Sequence, residues 1–191
     1  MKPDVLTFDL LALLFRYPSE GYHDAVGCCR KALRNTAPEA EALLARFAAQ
    51  IQAMSVEDLE EAFTQTFDLN PVCCLEVGWH LFGENYGRGE FLVRLRQQMR
   101  QSGVEETTEL PDHLTHVLPL LGRMEAAEAE QFSASLLVPA LEKMRAGLEG
   151  KKNPFADLLG AVHSLIASPS ATRAGRSQAP PDVLAREVAH E

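Results

Sequence analysis

The sequence has no GxxxxGK[ST] and no GxGxxG, and its one glycine-rich stretch, Gly83 to Gly89 (GENYGRG), contains no lysine and follows no strand. The usual phosphate cradles are therefore excluded. No cysteine lies two to four residues from another: the four fall as adjacent pairs, Cys28-Cys29 and Cys73-Cys74, unlike the spaced ligands that converge on a structural zinc. Reduced, buried thiols are expected. No apolar run is long enough to span a bilayer, and the longest near the start, in LTFDLLALLF, is broken by Asp9 and has neither a basic flank nor a small-residue cleavage pattern. A cytoplasmic protein with no direct membrane insertion is expected.

Basic residues are also scarce. Lys and Arg number 18 against 27 Asp and Glu, giving a formal net charge of −9. The last 24 residues contribute nothing to it, because Arg173, Arg176 and Arg186 cancel Asp182, Glu187 and Glu191. The excess acid thus sits in the body of the chain. Such a surface disfavours nucleic acid, whose phosphates need cations to replace their counterions, and suits a basic peptide. Acidity also serves solubility.

What is present reads as one soluble domain: 191 residues, 46% apolar and 24% charged. From residue 4 to 167 the apolar residues recur at spacings of three and four, with no run of strand alternation, so an all-α, single-domain helical bundle is expected. Leu6, Phe8, Leu10, Leu11, Leu13, Leu14 and Phe15 make the first helix apolar on most sides, which predicts a place in the centre of the bundle, ending at Tyr17-Pro18. Thr36-Ala37-Pro38-Glu39 reads as a capping box, and Ser55 as the cap of the next helix, carrying Leu59, Phe63 and Phe67. Asn70-Pro71 and Asn153-Pro154 both read as a cap followed by proline at the first helical position. The first should open a helix through Cys74, Val77 and Leu81, the second one through Phe155, Leu158, Leu159, Val162 and Ile166. Gly83 predicts a turn and Gly103 a helix end. Pro119 predicts a short or bent helix and Pro139 a kink in a helix running from Ser133 through Leu148. Residues 168–191 begin with SPSATRAGRSQAPPD, which has no large apolar side chain, and predict a flexible tail beyond a domain of residues 1–167.

Three constellations could carry chemistry. His113 and His116 lie three apart, close to Glu109 and Asp112, and together could form a metal site of a small enzyme or sensor, although HxxH without a further spaced ligand is a weak pattern. His80 and Glu84 stand at i and i+4, but Gly83 intervenes and nothing supplies a nucleophile or oxyanion donor. The vicinal cysteines are the third. A binding role fits ELPDHL (109–114) as well: Pro111 disfavours helix at Leu110, Asp112 is a good N-cap, and Glu109 with Asp112 would make an acidic edge able to pair with peptide arginines. The plainer alternative is that Asp112 only caps its helix while His113 bonds a neighbouring loop.

The series FTQTFDLNP (63–71), GWHLFGE (78–84), Arg88-Gly89 before a leucine-rich helix, ELPDHL and NPFADLL (153–159) resembles the respiratory nitrate reductase delta subunits, the NarJ type of the TorD/DmsD chaperone superfamily. The resemblance implies an all-helical chaperone and not an enzyme. Its partner would be the catalytic subunit of a molybdenum oxidoreductase, nitrate reductase or a related enzyme of the DMSO reductase family, gripped mainly by a twin-arginine-type N-terminal leader. The chaperone would hold that subunit in the cytoplasm until bis-molybdopterin guanine dinucleotide is inserted, binding no cofactor permanently itself. Carried over, the client-peptide residues are Trp79, His80, Phe82, Glu84 and Arg88 in one segment and Glu109, Pro111, Asp112, His113 and Leu114 in the other. Trp79 and Glu84 stand where superfamily members often carry a tyrosine or another aromatic and an aspartate.

Overall fold

The computed structural model describes residues 4–167, and the expected tail of 168–191 lies outside the described residues. The elements in order are α1 (Val5–Leu13), α2 (Tyr22–Leu33), α3 (Pro38–Ile51), α4 (Val56–Phe63), α5 (Val77–Phe82), α6 (Tyr86–Ser102), α7 (Leu114–Arg123), α8 (Ala126–Phe132), α9 (Val138–Ala146) and α10 (Phe155–Ala167). Two π-helical turns extend this set, Thr64–Asp68 after α4 and Ser133–Leu137 between α8 and α9. Among the described residues the only β-type pairing is an isolated antiparallel bridge between Glu76 and His113. The all-α expectation holds.

Amphipathic spacing explains the packing. Leu44, Phe47 and Ile51 on α3 meet Leu158, Leu159 and Val162 on α10, all fully buried, and each such side chain removed from water contributes about 1.5–3 kcal/mol. Phe155, at the start of α10, lies 5.1 Å from Phe67, 5.6 Å from Phe47 and 5.8 Å from Phe63, ring centroid to centroid. The π turn 64–68 is tied to this cluster: Asn153 donates from Nδ2 to Thr66 Oγ1 at 2.7 Å and accepts at Oδ1 from the Phe155 amide at 2.9 Å. Asn153 is thus the cap its sequence predicts. Ser55 is too, in a reciprocal capping box with Asp58. Gly83 and Gly103 stand at positive φ, 59° and 68°, where the chain turns away from α5 and α6.

Several expectations are corrected. The Thr36 capping box does not form: Ala37 holds the N-cap position of α3, and the Thr36 hydroxyl donates backwards to Ala32 O at 3.2 Å. Asn70-Pro71 opens no helix; residues 70–76 are irregular and α5 begins only at Val77. The first helix ends at Leu13, and it is not central: Phe8, Leu11 and Ala12 pack towards α2 and α7, while Val5 and Leu6 are 41% and 60% exposed. The helix expected from Ser133 starts earlier, at Ala126, and its irregularity precedes Pro139. The Val138 amide donates five residues back to Ser133 O, a π turn that accommodates the amide Pro139 lacks. All four cysteines are free, but Cys28 is exposed on the outer side of α2 and only Cys29 and Cys73 are buried, with Cys74 partly so.

Candidate functional site

The two segments singled out in the sequence meet. The Val77 amide donates to Asp112 O at 2.8 Å and the Leu114 amide to Leu75 O at 3.0 Å, which stitches the loop before α5 to the loop before α7. This pairing explains why Asn70-Pro71 starts no helix: the backbone just before α5 is committed to a distant partner.

At the centre is Asp112, with no exposed surface. Its Oδ2 accepts from the Gly78 amide at 3.1 Å and from Arg88 Nε at 3.2 Å. Burial pushes its carboxyl above the ordinary value, and the nearby Arg88 guanidinium opposes that rise. The close approach needs a glycine: a Cβ at position 78 would lie 2.6 Å from Asp112 Oδ2 and 3.0 Å from Phe91. Asp112 is therefore not the N-cap of its own helix, nor part of an exposed acidic edge. His113 takes the cap position of α7, its Nδ1 accepting from the Thr115 amide at 3.3 Å. Sequence spacing suggests a local cap; the chain uses the carboxylate across 34 residues instead.

The histidines are buried and bonded. His80 contacts Cys74 O through Nε2 at 2.7 Å, and burial lowers its pKa. Burial likewise lowers His113 to about 4, so it is a neutral imidazole near neutral pH. His116 Nε2 accepts from the Thr107 amide at 3.1 Å and Nδ1 donates to Leu110 O at 2.9 Å. With both ring nitrogens engaged, His116 has no lone pair for a metal, and among the described residues no group of three His, Cys, Asp or Glu side chains could hold one. The Glu109, Asp112, His113, His116 metal site is thereby corrected. Burial first, then Glu76, raises the Cys74 thiol to about 12, leaving it protonated and not a nucleophile.

Beside this knot lies an open groove of about 620 Å³, bordered by Val72, Trp79, His80, Lys143 and Gly147 among others. Trp79 is half-buried and borders the groove while its ring also faces Arg88, whose Cζ is 5.7 Å from the ring centroid. Phe82 is half-buried against Phe91 at 5.4 Å. Glu84 and Glu109 are exposed, whereas Pro111, His113 and Leu114 are buried. The sequence-predicted set is thus one neighbourhood, with Trp79, Phe82, Glu84, Arg88 and Glu109 at its surface and His80, Pro111, Asp112, His113 and Leu114 beneath.

Gly78 and Lys143 were not predicted. Gly78 carries a readable signal, an isolated glycine inside an apolar helical pattern, which marks close approach. Lys143, whose Nζ donates to His80 O at 2.6 Å, carries none, because only folding brings α9 beside α5.

The family described as nitrate reductase delta subunit matches residues 30–160, a span that contains both segments. The nitrate reductase molybdenum cofactor assembly chaperone NarJ of Escherichia coli K12 is 28% identical over 128 residues, covering 66% of this chain and 54% of NarJ. The protein of the same description from Escherichia coli O157:H7 gives the same figures. The chain spans about half the length of the curated relatives it matches.

Proposed function

This chain belongs to the nitrate reductase delta subunit family, and from that membership we propose that it is an assembly chaperone for the catalytic subunit of a nitrate reductase or a related molybdenum enzyme. It works in the cytoplasm, by binding and not by catalysis, with residues 1–167 as the binding domain. It holds the N-terminal leader of that subunit and keeps the subunit open to insertion of bis-molybdopterin guanine dinucleotide. The observation that supports this reading best is the convergence of the 75–84 and 109–114 segments beside the Trp79 groove.

The groove suits a peptide with an apolar stretch, which lies against Val72 and the Trp79 ring as other helical or extended peptides lie against apolar grooves. Glu84 and Glu109, both exposed, attract the leader's arginines. A holding chaperone needs no chemistry: selective affinity for the immature client shifts that client's population away from premature docking or degradation. No described helix is long and apolar enough to cross a membrane.

Calorimetric titration with the leader peptide of the nitrate reductase catalytic subunit, beside a variant with its arginines replaced by alanine, tests the proposal. Saturable binding that weakens without the arginines is expected, together with weaker binding to cofactor-loaded than to apo subunit. Failure of every molybdenum-enzyme leader and of the apo subunit to bind overturns it.

A further inference from the structure

The two oxygens of Asp112 are used unequally. Oδ2 takes both the Gly78 amide and Arg88 Nε, whereas Oδ1, equally buried, has no hydrogen-bond partner among the described residues. A carboxylate offers about four acceptor positions and a guanidinium presents a two-armed fork, so the strongest pairing between them is bidentate. Arg88 instead engages through Nε at 3.2 Å, longer than the roughly 2.7–2.9 Å of a strong charge-assisted bond. The Arg88 side chain keeps 20% of its surface exposed, whereas that of Asp112 keeps none, so of this pair only Arg88 reaches solvent. Beyond the carboxylate, its guanidinium faces the Trp79 ring at the groove.

We infer that Arg88 is an internal plug: in the free protein it occupies a guanidinium seat on Asp112, and an arginine of the client peptide displaces it there. The inference rests on the leader-binding reading above. A buried carboxylate cannot be left without a counter-charge at small cost, so a site built to receive an arginine needs a stand-in while empty. Exchange of one guanidinium for another keeps Asp112 paired throughout. The incoming fork reaches the unused Oδ1 that Arg88 leaves unbonded, which favours the exchange, and the displaced Arg88 stays beside Trp79 or enters solvent. Gly78 permits this traffic, since a Cβ there would also lie 3.3 Å from Arg88 Cγ.

Arg88→Ala should bind the nitrate reductase leader about tenfold more tightly than the unaltered protein, the equivalent of one charge-assisted hydrogen bond no longer displaced. In an Asp112→Asn background the same replacement should change nothing. In thermal unfolding, millimolar methylguanidinium should raise the Tm of Arg88→Ala, while methylammonium should not, and neither should act on the unaltered protein or on the double variant. Arg88→Lys, which keeps a charge and loses the fork, serves in the same assays if the alanine variant does not fold. Equal or weaker leader binding by the Arg88 variants overturns the plug and leaves the leader reading standing. If neither a molybdenum-enzyme leader nor the apo subunit binds either protein while methylguanidinium stabilises Arg88→Ala, the seat stands and the leader reading falls; with no stabilisation either, both fall.

Discussion

Gly78→Ala tests the junction between the two segments most directly. The new Cβ would lie 2.6 Å from Asp112 Oδ2, closer than real Cβ atoms come, and 3.0 Å from Phe91 Cδ1. Asp112 is short and fully buried, so Oδ2 can retreat only by giving up the Gly78 amide and Arg88. Overpacking costs about 1–3 kcal/mol and loss of a charge-assisted hydrogen bond about 1.5–3, while alanine returns up to about 1 through helix propensity. The net expectation is a loss of about 2–4 kcal/mol, or a Tm drop of about 4–16 °C for a chain of this size. Urea unfolding followed by circular dichroism checks it: the midpoint should fall with no change in slope. Gly89→Ala is the control, because a Cβ added at that α6 glycine would have nothing within 4 Å, and it should gain up to about 1 kcal/mol. A Gly78→Ala protein within about 0.5 kcal/mol of the parent, the range of an ordinary surface substitution, would refute the close-approach argument.

Asn153→Ala should cost about 1–2 kcal/mol in thermal unfolding, since it removes both the α10 cap and the bond to Thr66. Asn153→Asp keeps the cap acceptor and loses the donor, so its stability should lie between; equality with the parent would show that the Thr66 bond contributes nothing. His113 makes stability depend on pH. Its folded value is lowered from 6.5 to about 4, so below pH 6.5 the unfolded chain binds the proton that the folded one refuses. The contribution is full above about 6.5, and on the order of 3 kcal/mol is lost as pH falls to about 4. His80, also lowered by burial, acts in the same direction, whereas the raised Asp112 acts oppositely. His113→Asn keeps a cap acceptor and removes the titration, so its stability curve should be flatter between pH 6.5 and 4; an unchanged slope would show that His113 is not the group responsible.

Where a structural decision is local, the sequence alone determined it. The three-and-four spacing of Phe155, Leu158, Leu159 and Val162 specified a helix face, Ser55 and Asn153 their caps, and Gly83 and Gly103 their turns, because each involves atoms within a few residues along the chain. The resemblance points to the segments 78–84 and 109–114, which the fold brings together. Their roles within the site depended on distant partners. Asp112 has the residue type and position of an N-cap, yet its carboxylate goes to Gly78 and Arg88. Asn70-Pro71 has the pattern of a helix start, yet the chain beyond it is held in the bridge to 112–114. His113 and His116 have the spacing of metal ligands, yet Thr115, Thr107 and Leu110 claim their nitrogens. Tertiary structure decided these cases because a buried polar group must find a partner, and the available partner lay on another element.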